Sequence, residues 1–235
     1  MNRKLKFFLP CIIVVAVSIG ISQPGAAQVP PSKVTIESYT DALKAAAAGD
    51  VAAITALASK GADLNLRYPR GLTPLMVVAH LRHYDAVRAL LSAGADINAF
   101  DDDRYDVITI AAVADDAEMI RIAVAGGGDP KLVTSRYDGT ALIAAAHLGH
   151  DEVVRTLIKS GAPLDHVNNL NWTTLIEAIV LGDGGPRHVA TLEALVTTGA
   201  DVNIADGSGV SPLSLAQRRG YTEMIDILIS AGARP

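Results

Sequence analysis

Apolar residues recur along most of the chain at the three-to-four-residue spacing of helices that bury one face. In one such segment the apolar face is formed by Val87 and Leu90. A shorter stretch precedes it and begins with Thr73 and Pro74, which suit a helix cap and a first helical turn. Gly94 follows the second segment, where a helix can end in the left-handed conformation. The pattern predicts pairs of short antiparallel helices joined by tight turns.

The helix pairs recur at a nearly constant interval. A Gly-Ala-Asp-like triplet returns after 33, 33, 34, 38 and 33 residues, and Leu75 precedes the glycine of its unit by 19 residues. In the fifth unit the corresponding interval, from Leu175 to Gly199, is 24 residues, so this unit holds five extra residues. Self-similarity at this period indicates stacked repeats that bury their faces against one another. The triplets begin at Gly61, Gly94, Gly127, Gly161, Gly199 and Gly232.

The repeated residues resemble those of the ankyrin repeat. The second unit reads GLTPL from Gly71 and GADIN from Gly94, the fourth reads TALIAAAHLGHDEVV from Thr140, and the sixth reads GVSPLSLA from Gly209. The resemblance implies an all-α fold, an ankyrin-repeat α-solenoid of six stacked helix-turn-helix units with short hairpin loops. We place the repeat domain at residues 37–235, with units at 37–69, 70–103, 104–136, 137–169, 170–206 and 207–235.

Three units depart from the family pattern. The first lacks Thr-Pro-Leu and begins at Glu37, as a polar N-terminal cap would. The third has Arg104-Tyr105-Asp106-Val107 in place of Gly-x-Thr-Pro and ends in Gly126-Gly127-Gly128. Because each helical glycine costs about 1 kcal/mol, we expect this unit to be the loosest. The five extra residues of the fifth unit are Gly182 to Pro186, which we expect in the turn between its helices.

The N-terminus has the features of a secretory signal peptide. Residues 1–6 carry three positive charges, residues 7–21 are almost wholly apolar, and small residues at 25–27 offer a cleavage site. We therefore expect a signal peptide at 1–27, a linker at 28–36 and a periplasmic or secreted product. The apolar run of about 15 residues is short for a membrane span of about 20. The alternative is an uncleaved anchor, which would make the protein a membrane-tethered scaffold.

Composition excludes several classes of partner. The whole chain has 20 basic and 25 acidic residues, and without the predicted signal peptide it has 17 and 25, a net charge of −8. This balance argues against nucleic acid and against an anionic membrane as the main partner. The single cysteine, Cys11, lies in the predicted signal peptide. The predicted mature chain therefore has no thiol for a disulfide, a nucleophile or a metal site.

The histidines invite a metal-site interpretation, because His80 and His83 lie three residues apart, as do His147 and His150. The repeat itself explains most of them, since His83, His150 and His188 fall at the turn position where the family pattern has histidine. Two ligands per pair, with no cysteine or matched carboxylate, make a poor site. We therefore expect no metal and no cofactor.

No catalytic motif interrupts the repeats. The chain lacks a Gly-x-Ser-x-Gly elbow, a P-loop and a His-Glu-x-x-His sequence. An enzyme would need a convergent site, for which His188, Asp183 and Glu177 are the candidates. We expect a protein that is not an enzyme and has no small-molecule substrate.

The resemblance implies that hairpin tips and first helices form a concave protein-binding face. Large tip residues there are Tyr68, Arg70, Tyr105 and Trp172, of the types that often dominate binding energy. Trp172 could instead pack sideways on Tyr137 or Asn169 and shield the stack.

Two further regions are candidates for contact with a partner. The first is the acidic patch Asp101-Asp102-Asp103, which could attract a basic partner or could be a solvated hairpin tip. The second is the inserted segment with Asp183 and Arg187, which could recognise a partner or could be a neutral surface insertion.

The predicted function is that of an exported, non-enzymatic module that binds another protein. The fifth unit, with Asn171-Trp172-Thr173, is similar to that of exported bacterial ankyrin repeat proteins. Some of those proteins support catalases in defence against peroxide, and others are immunity partners of exported toxins. The resemblance therefore implies support of a stress-defence enzyme such as catalase, with toxin neutralisation as the alternative.

Overall fold

The computed structural model describes residues 41–235, so the predicted signal peptide and linker and the cap at Glu37 lie outside the described residues. In the described part the chain forms twelve α-helices in six antiparallel pairs. In chain order they are α1 Asp41–Ala47, α2 Val51–Ser59, α3 Pro74–His80, α4 Tyr84–Ser92, α5 Val107–Val113, α6 Ala117–Ala125, α7 Ala141–His147, α8 Asp151–Lys159, α9 Thr174–Val180, α10 Pro186–Thr197, α11 Pro212–Arg219 and α12 Thr222–Ser230.

The first helix of each complete unit begins at a polar residue whose side chain caps it. Thr73 accepts a hydrogen bond from the backbone N–H of Met76 at 3.3 Å, and Thr173 does the same for Ile176 at 3.3 Å. In the third unit, which lacks Thr-Pro, Asp106 accepts from the N–H of Thr109 at 2.7 Å. Such caps satisfy amides that have no partner inside the helix. The unusual sequence of the third unit therefore still begins its helix normally.

A single apolar core runs through all six units. Leu75, Leu142 and Leu157 are almost completely buried, and each first helix packs against the first helices of its neighbours. Small residues occupy the tightest positions of these helices, which allows the backbones to approach closely. The fully buried or nearly buried alanines of this set include Ala46, Ala79, Ala112, Ala146, Ala178 and Ala216.

Side-chain amides that follow the second helix link three of the units to the next unit. The carboxamide oxygen of Asn65 accepts from the N–H of Asp96 at 2.8 Å, and that of Asn98 accepts from Asp129 at 2.9 Å. Asn203 makes the equivalent bond to Arg234. The third unit has Lys131 at this position. The fourth unit has Asp165 there, and its carboxylate accepts a hydrogen bond from the N–H of Asp201 at 2.9 Å.

The three glycines of the third unit lie beyond the end of α6, whose last residue is Ala125. A Cβ atom on Gly128 would come within 2.9 Å of the carbonyl oxygen of Ala123, so glycine is required there by close packing. Because none of the three is helical, the reason given above for a loose third unit is wrong.

The five extra residues of the fifth unit are divided between its turn and its second helix. The turn covers five residues, 181–185, against three in the second unit, and α10 has 12 residues against nine in α4. The prediction that all five lie in the turn is therefore wrong. Pro186 is the first residue of α10, which suits its missing N–H.

Replacing Leu157 by alanine tests the assignment of the helix faces. The side chain is fully buried in the common core, so the substitution should lower the free energy of unfolding by about 2–5 kcal/mol. Ile229→Ala is the matched control, because Ile229 is exposed and should change stability by less than about 0.5 kcal/mol. Equal stability losses in the two variants, measured by urea denaturation, would contradict the assignment.

A candidate protein-binding surface on the hairpins

Hairpins connect the units, and each is closed by a backbone hydrogen bond. The closing pairs in the fifth and sixth units are Asn168 N–H to Trp172 O and Asp206 N–H to Val210 O, both at 3.0 Å. In units two to six, the residue two positions before the cap of the first helix has a positive φ angle. In the fifth unit this is the non-glycine residue Asn171. The other residues at this position are Gly71, Arg104, Asp138 and Gly209.

Backbone hydrogen bonds also connect the tips of four successive hairpins. Asp102 donates to the carbonyl of Arg70 at 3.1 Å, Ser135 donates to that of Arg104 at 3.0 Å, and Asn169 donates to that of Tyr137 at 3.0 Å. We call this continuous row of tips, residues 66–72, 99–105, 133–139 and 166–172, the hairpin ridge. Hydrogen bonds from neighbouring units hold its backbone in place.

The hairpin ridge carries most of its exposed apolar surface at the fourth and fifth units. Tyr137 is 38% exposed, and Val167 and Leu170 are each 44% exposed. Leu66 is exposed at the other end of the ridge. Large apolar side chains gathered in this way mark contact surfaces more often than scattered ones do.

The predicted anchors on the ridge differ in exposure. Arg70 is exposed and has a left-handed backbone with φ of 70°, whereas Tyr68 and Trp172 are partly buried. Burial, and then the nearby charge of Asp41, raises the pKa of the Tyr68 hydroxyl. Trp172 therefore keeps part of its side chain at the surface of the ridge and packs the rest against the stack.

Tyr105 is only 7% exposed, so its prediction as an exposed anchor is wrong. It lies directly before the helix cap Asp106, and the equivalent Leu72 and Gly139 are buried as well. The residue before the cap follows the left-handed turn position. It is buried in the second, third and fourth units and partly buried in the fifth and sixth, where it is Trp172 and Val210.

The acidic patch is not a free negative surface. Asp101 is buried, and its Oδ1 atom accepts hydrogen bonds from the N–H groups of Asp103 and Tyr105 at 2.9 and 2.8 Å. Burial raises its pKa. Asp102 lies 3.1 Å from Arg67, and Asp103 lies 2.9 Å from Arg136. The charges of this tip are therefore compensated by arginines of neighbouring hairpins.

The turns between helices form a second row of contacts between units, and the histidines belong to it. His83 Nε2 lies 3.2 Å from the carbonyl oxygen of Ala47, His150 Nδ1 lies 2.8 Å from that of Ala112, and His188 Nε2 lies 3.0 Å from that of His147. Each histidine thus contacts the end of the preceding first helix. Within residues 41–235 no group of three or more His, Cys, Asp or Glu side chains could hold a metal ion.

The inserted segment folds back onto the stack. Asp183 accepts a hydrogen bond from the N–H of Gly185 and lies 2.8 Å from His188 Nδ1. Arg187 contacts Asp151 of the fourth unit at 3.1 Å and Asp115 of the third at 2.9 Å. Hydrogen bonding with Arg187 lowers the pKa of Asp115. Arg187 therefore acts as a clasp across three units.

Glu177 is a buried carboxyl group on α9, with 4% of its surface exposed. Its Oε1 accepts a hydrogen bond from Asn168 Nδ2 at 2.8 Å, and its Oε2 lies 3.8 Å from His147 Nδ1. Burial raises the pKa of Glu177 to about 7 and lowers that of His147. Although the two groups are close, burial thus favours the neutral form of each, and the pair is not a strong ion pair at neutral pH.

The candidate catalytic groups do not form an open site. Asp183 and His188 contact each other at the turn. Glu177 instead lies 3.8 Å from His147, and its Oε2 atom is inaccessible to solvent. The sequence does carry a signal for a special role of Glu177, because four of the five equivalent residues are apolar, namely Val77, Ile110, Ala144 and Leu215, and the fifth is the exposed Lys44 of the first unit.

Comparison with known proteins identifies the family. A family model described as ankyrin repeats (3 copies) matches residues 31–101 and 108–206. The chain belongs to the ankyrin repeat family. Ankyrin repeats are protein–protein interaction modules and are typically not enzymes.

Similar proteins include bacterial ankyrin repeat proteins of nearly the same extent. An ankyrin repeat protein of Escherichia coli (strain K12), YahD, is 35% identical over 82% of this chain and 96% of its own length. The crystal structure of an ankyrin repeat domain from Acinetobacter baumannii AYE is 40% identical, with a TM-score of 0.78, over 82% of this chain and 98% of that one.

A more distant similarity supports the fold alone. A chain in the structure of the predatory endopeptidase Bd0816 from Bdellovibrio bacteriovorus in complex with the immunity protein Bd3460 is 21% identical. Its TM-score is 0.67, over 82% of this chain and 98% of that one.

In the described part of our chain, no helix combines the length and the apolar character needed to cross a bilayer.

The Arg187 clasp can be measured by a double-mutant cycle with Asp115→Asn. Because the arginine side chain is 53% exposed, Arg187→Ala should lower the free energy of unfolding by no more than about 1 kcal/mol. The effect should shrink in 1 M salt, which screens exposed charges. Strict additivity of the two substitutions in urea denaturation would show that the side chains do not interact in solution.

Glu177 should make stability depend on pH with a definite sign. Its folded pKa of about 7 exceeds the ordinary value of 4.5, so the folded state binds a proton that the unfolded state has lost. Stability should therefore fall as pH rises through the window from 4.5 to 7.

Glu177→Gln, which cannot ionise, isolates this effect from His147, whose lowered pKa acts in the opposite direction. Between pH 5.5 and pH 8 the stability of the variant relative to the wild type should rise by about 2 kcal/mol. A constant difference in urea denaturation at the two pH values would contradict the raised pKa.

Proposed function

We propose that this protein is exported to the periplasm and binds another protein through the hairpin ridge. The observation that carries the proposal is the group of exposed apolar side chains, Tyr137, Val167 and Leu170, on the fourth and fifth hairpins. They lie on a backbone that is held by hydrogen bonds between units. A surface that is already ordered loses little conformational entropy when a partner binds, so a few apolar contacts suffice.

The partner is recognised mainly by apolar contact. The arginine–aspartate pairs of the ridge compensate each other's charges, as Arg104 and Asp138 do at 2.8 Å. We therefore expect the partner to be selected by a close fit to an uncharged part of the ridge and not by attraction to a free acidic patch. Arg70 and the partly buried Tyr68 and Trp172 lie on the same ridge and extend this surface.

Within this function, support of a stress-defence enzyme such as catalase is our first candidate. It rests on the signal-like residues 1–27 and on the resemblance of the fifth unit to exported bacterial ankyrin proteins. Neutralisation of an exported toxin is the second candidate. A structural neighbour named as a complex with an immunity protein favours it, through similarity of fold.

Affinity capture from periplasmic extract tests the proposal. A Tyr137→Ala, Leu170→Ala variant should lose a protein that the wild type retains, because both side chains are exposed on the ridge. Ile229→Ala is the matched control, since it removes an exposed apolar side chain away from the ridge and should retain the partner. Mass spectrometry then distinguishes a catalase from a toxin. Equal retention by the ridge variant would place the binding surface elsewhere.

N-terminal sequencing of the protein from whole cells tests export. A mature start at Gln28 is expected, because small residues precede it at the cleavage site. A chain that keeps Met1 and sediments with the membrane would instead support the membrane-tethered scaffold.

A further inference from the structure

The fifth hairpin depends on one buried amide. The carboxamide oxygen of Asn168 accepts hydrogen bonds from the N–H groups of Leu170 and Trp172, both at 3.0 Å. Its backbone N–H also donates to the carbonyl oxygen of Trp172. Asn168 is 4% exposed, so water does not readily replace these bonds. The conformation of the hairpin tip is therefore set by the position of this one side chain.

In the other hairpins that use this arrangement, the same position is filled by aspartate. Asp101 accepts from Asp103 and Tyr105, and Asp206 accepts from Ser208 and Val210 at 2.8 and 2.9 Å. An aspartate needs no orienting partner, because both of its oxygens accept. An asparagine presents its oxygen to the tip only if its NH₂ group is held on the other side.

Glu177 holds that NH₂ group. Its Oε1 accepts from Asn168 Nδ2 at 2.8 Å, and this is the contact that fixes the orientation of the amide. The carboxyl group itself is buried, and its Oε2 atom has no hydrogen-bond partner. Ionisation would strengthen the bond from Asn168, but burial outweighs that gain, because the carboxylate would be separated from water beside a His147 side chain whose neutral form burial also favours. It would gain most by turning toward solvent.

The surroundings of Glu177 contain few other charges. From α7 it is faced by His147, at 3.8 Å. On α10, His188 approaches through its contacts with the His147 carbonyl and with Asp183. On α11, Arg219 donates to the carbonyl of Val180 at the end of α9. The 168–172 hairpin itself has no titratable side chain.

We propose that the carboxyl group of Glu177 is a proton-operated latch on the 168–172 hairpin. In its protonated form it stays buried and holds Asn168, and the hairpin is closed. When it loses the proton it moves toward water, its hydrogen bond to Asn168 is lost, and the tip with Leu170 and Trp172 loosens. The raised pKa of Glu177, about 7, places this change near neutral pH.

One consequence rests on the proposed function. A closed hairpin presents Leu170 in a fixed position, so a partner that uses this tip should bind more tightly at pH 6 than at pH 8. The latch itself requires no partner and can be tested alone.

The test is a nuclear magnetic resonance titration of the ¹³C,¹⁵N-labelled protein from pH 5.5 to 8.5. The carboxyl carbon of Glu177 and the backbone amides of Leu170 and Trp172 should shift with one common midpoint near 7. Trp172 is the only tryptophan, so its fluorescence should follow the same curve. The amides of Ser208 and Val210, which bond to the Asp206 side chain of the sixth hairpin, are the internal control and should not follow it.

Variants assign the effect to one group. Glu177→Gln should keep the closed form and remove the hairpin titration, because it still accepts from Asn168 but cannot ionise. Glu177→Leu, which introduces the type of residue found at the equivalent position 215, should also remove the titration. His147→Ala should leave the titration in place. A hairpin midpoint near 7 that persists in Glu177→Gln, or disappears in His147→Ala, would overturn the latch.

The wild-type titration decides the proposal even if a variant fails to fold. A Glu177 carboxyl group that titrates while Leu170 and Trp172 stay unchanged would also overturn it. A hairpin that titrates in a protein that captures no partner would support the latch and contradict the proposed function. Capture that is equal at pH 6 and pH 8, with no hairpin titration, would support the function and contradict the latch.

Discussion

The structure depends on the contact between neighbouring first helices. A pair of short helices cannot bury both of its faces, so each unit is completed by the next one. The contact is close because small residues lie in it, among them the fully buried Ala112, Ala146 and Ala178. The other links between units follow from this spacing. Once the helices are stacked, the turn histidines, the asparagines that follow three of the second helices and the hairpin tips all lie within hydrogen-bonding distance of a neighbouring unit.

Because these contacts join only neighbouring units, a local change in length need not disturb the stack. The fifth unit shows this directly. Its five additional residues are absorbed by a longer turn and a longer helix, and His188 still reaches the carbonyl oxygen of His147 at 3.0 Å. Arg187 then extends one unit further, to Asp115. The inserted segment thus reinforces the stack, which weakens the case for Asp183 and Arg187 as free recognition residues.

The repeat period predicts the helices and their caps, because these follow from spacing and residue type. It did not predict which tip side chains are exposed. Tyr105 is buried although it lies at a hairpin tip. The other large residues directly before a cap, Leu72, Trp172 and Val210, are buried or partly buried as well, so apolar character at this position indicates burial. The prediction of an acidic patch that attracts a basic partner has a different weakness. The compensation of this patch by Arg67 and Arg136 depends on side chains more than thirty residues away, brought close only by stacking.

The same reasoning sets Glu177 apart. The equivalent position holds valine, isoleucine, alanine or leucine in four other units, and any of these could be buried without a hydrogen-bond partner. A carboxyl group there is less favourable than an apolar residue, because its burial opposes ionisation. The asparagine beside it is likewise a less direct choice than the aspartates of the third and sixth hairpins. Glu177 and Asn168 are each less favourable than the usual residue at their position, and each supplies the hydrogen-bond partner that the other needs. Such a pair next to the apolar part of the hairpin ridge is better explained by control of that hairpin than by stability.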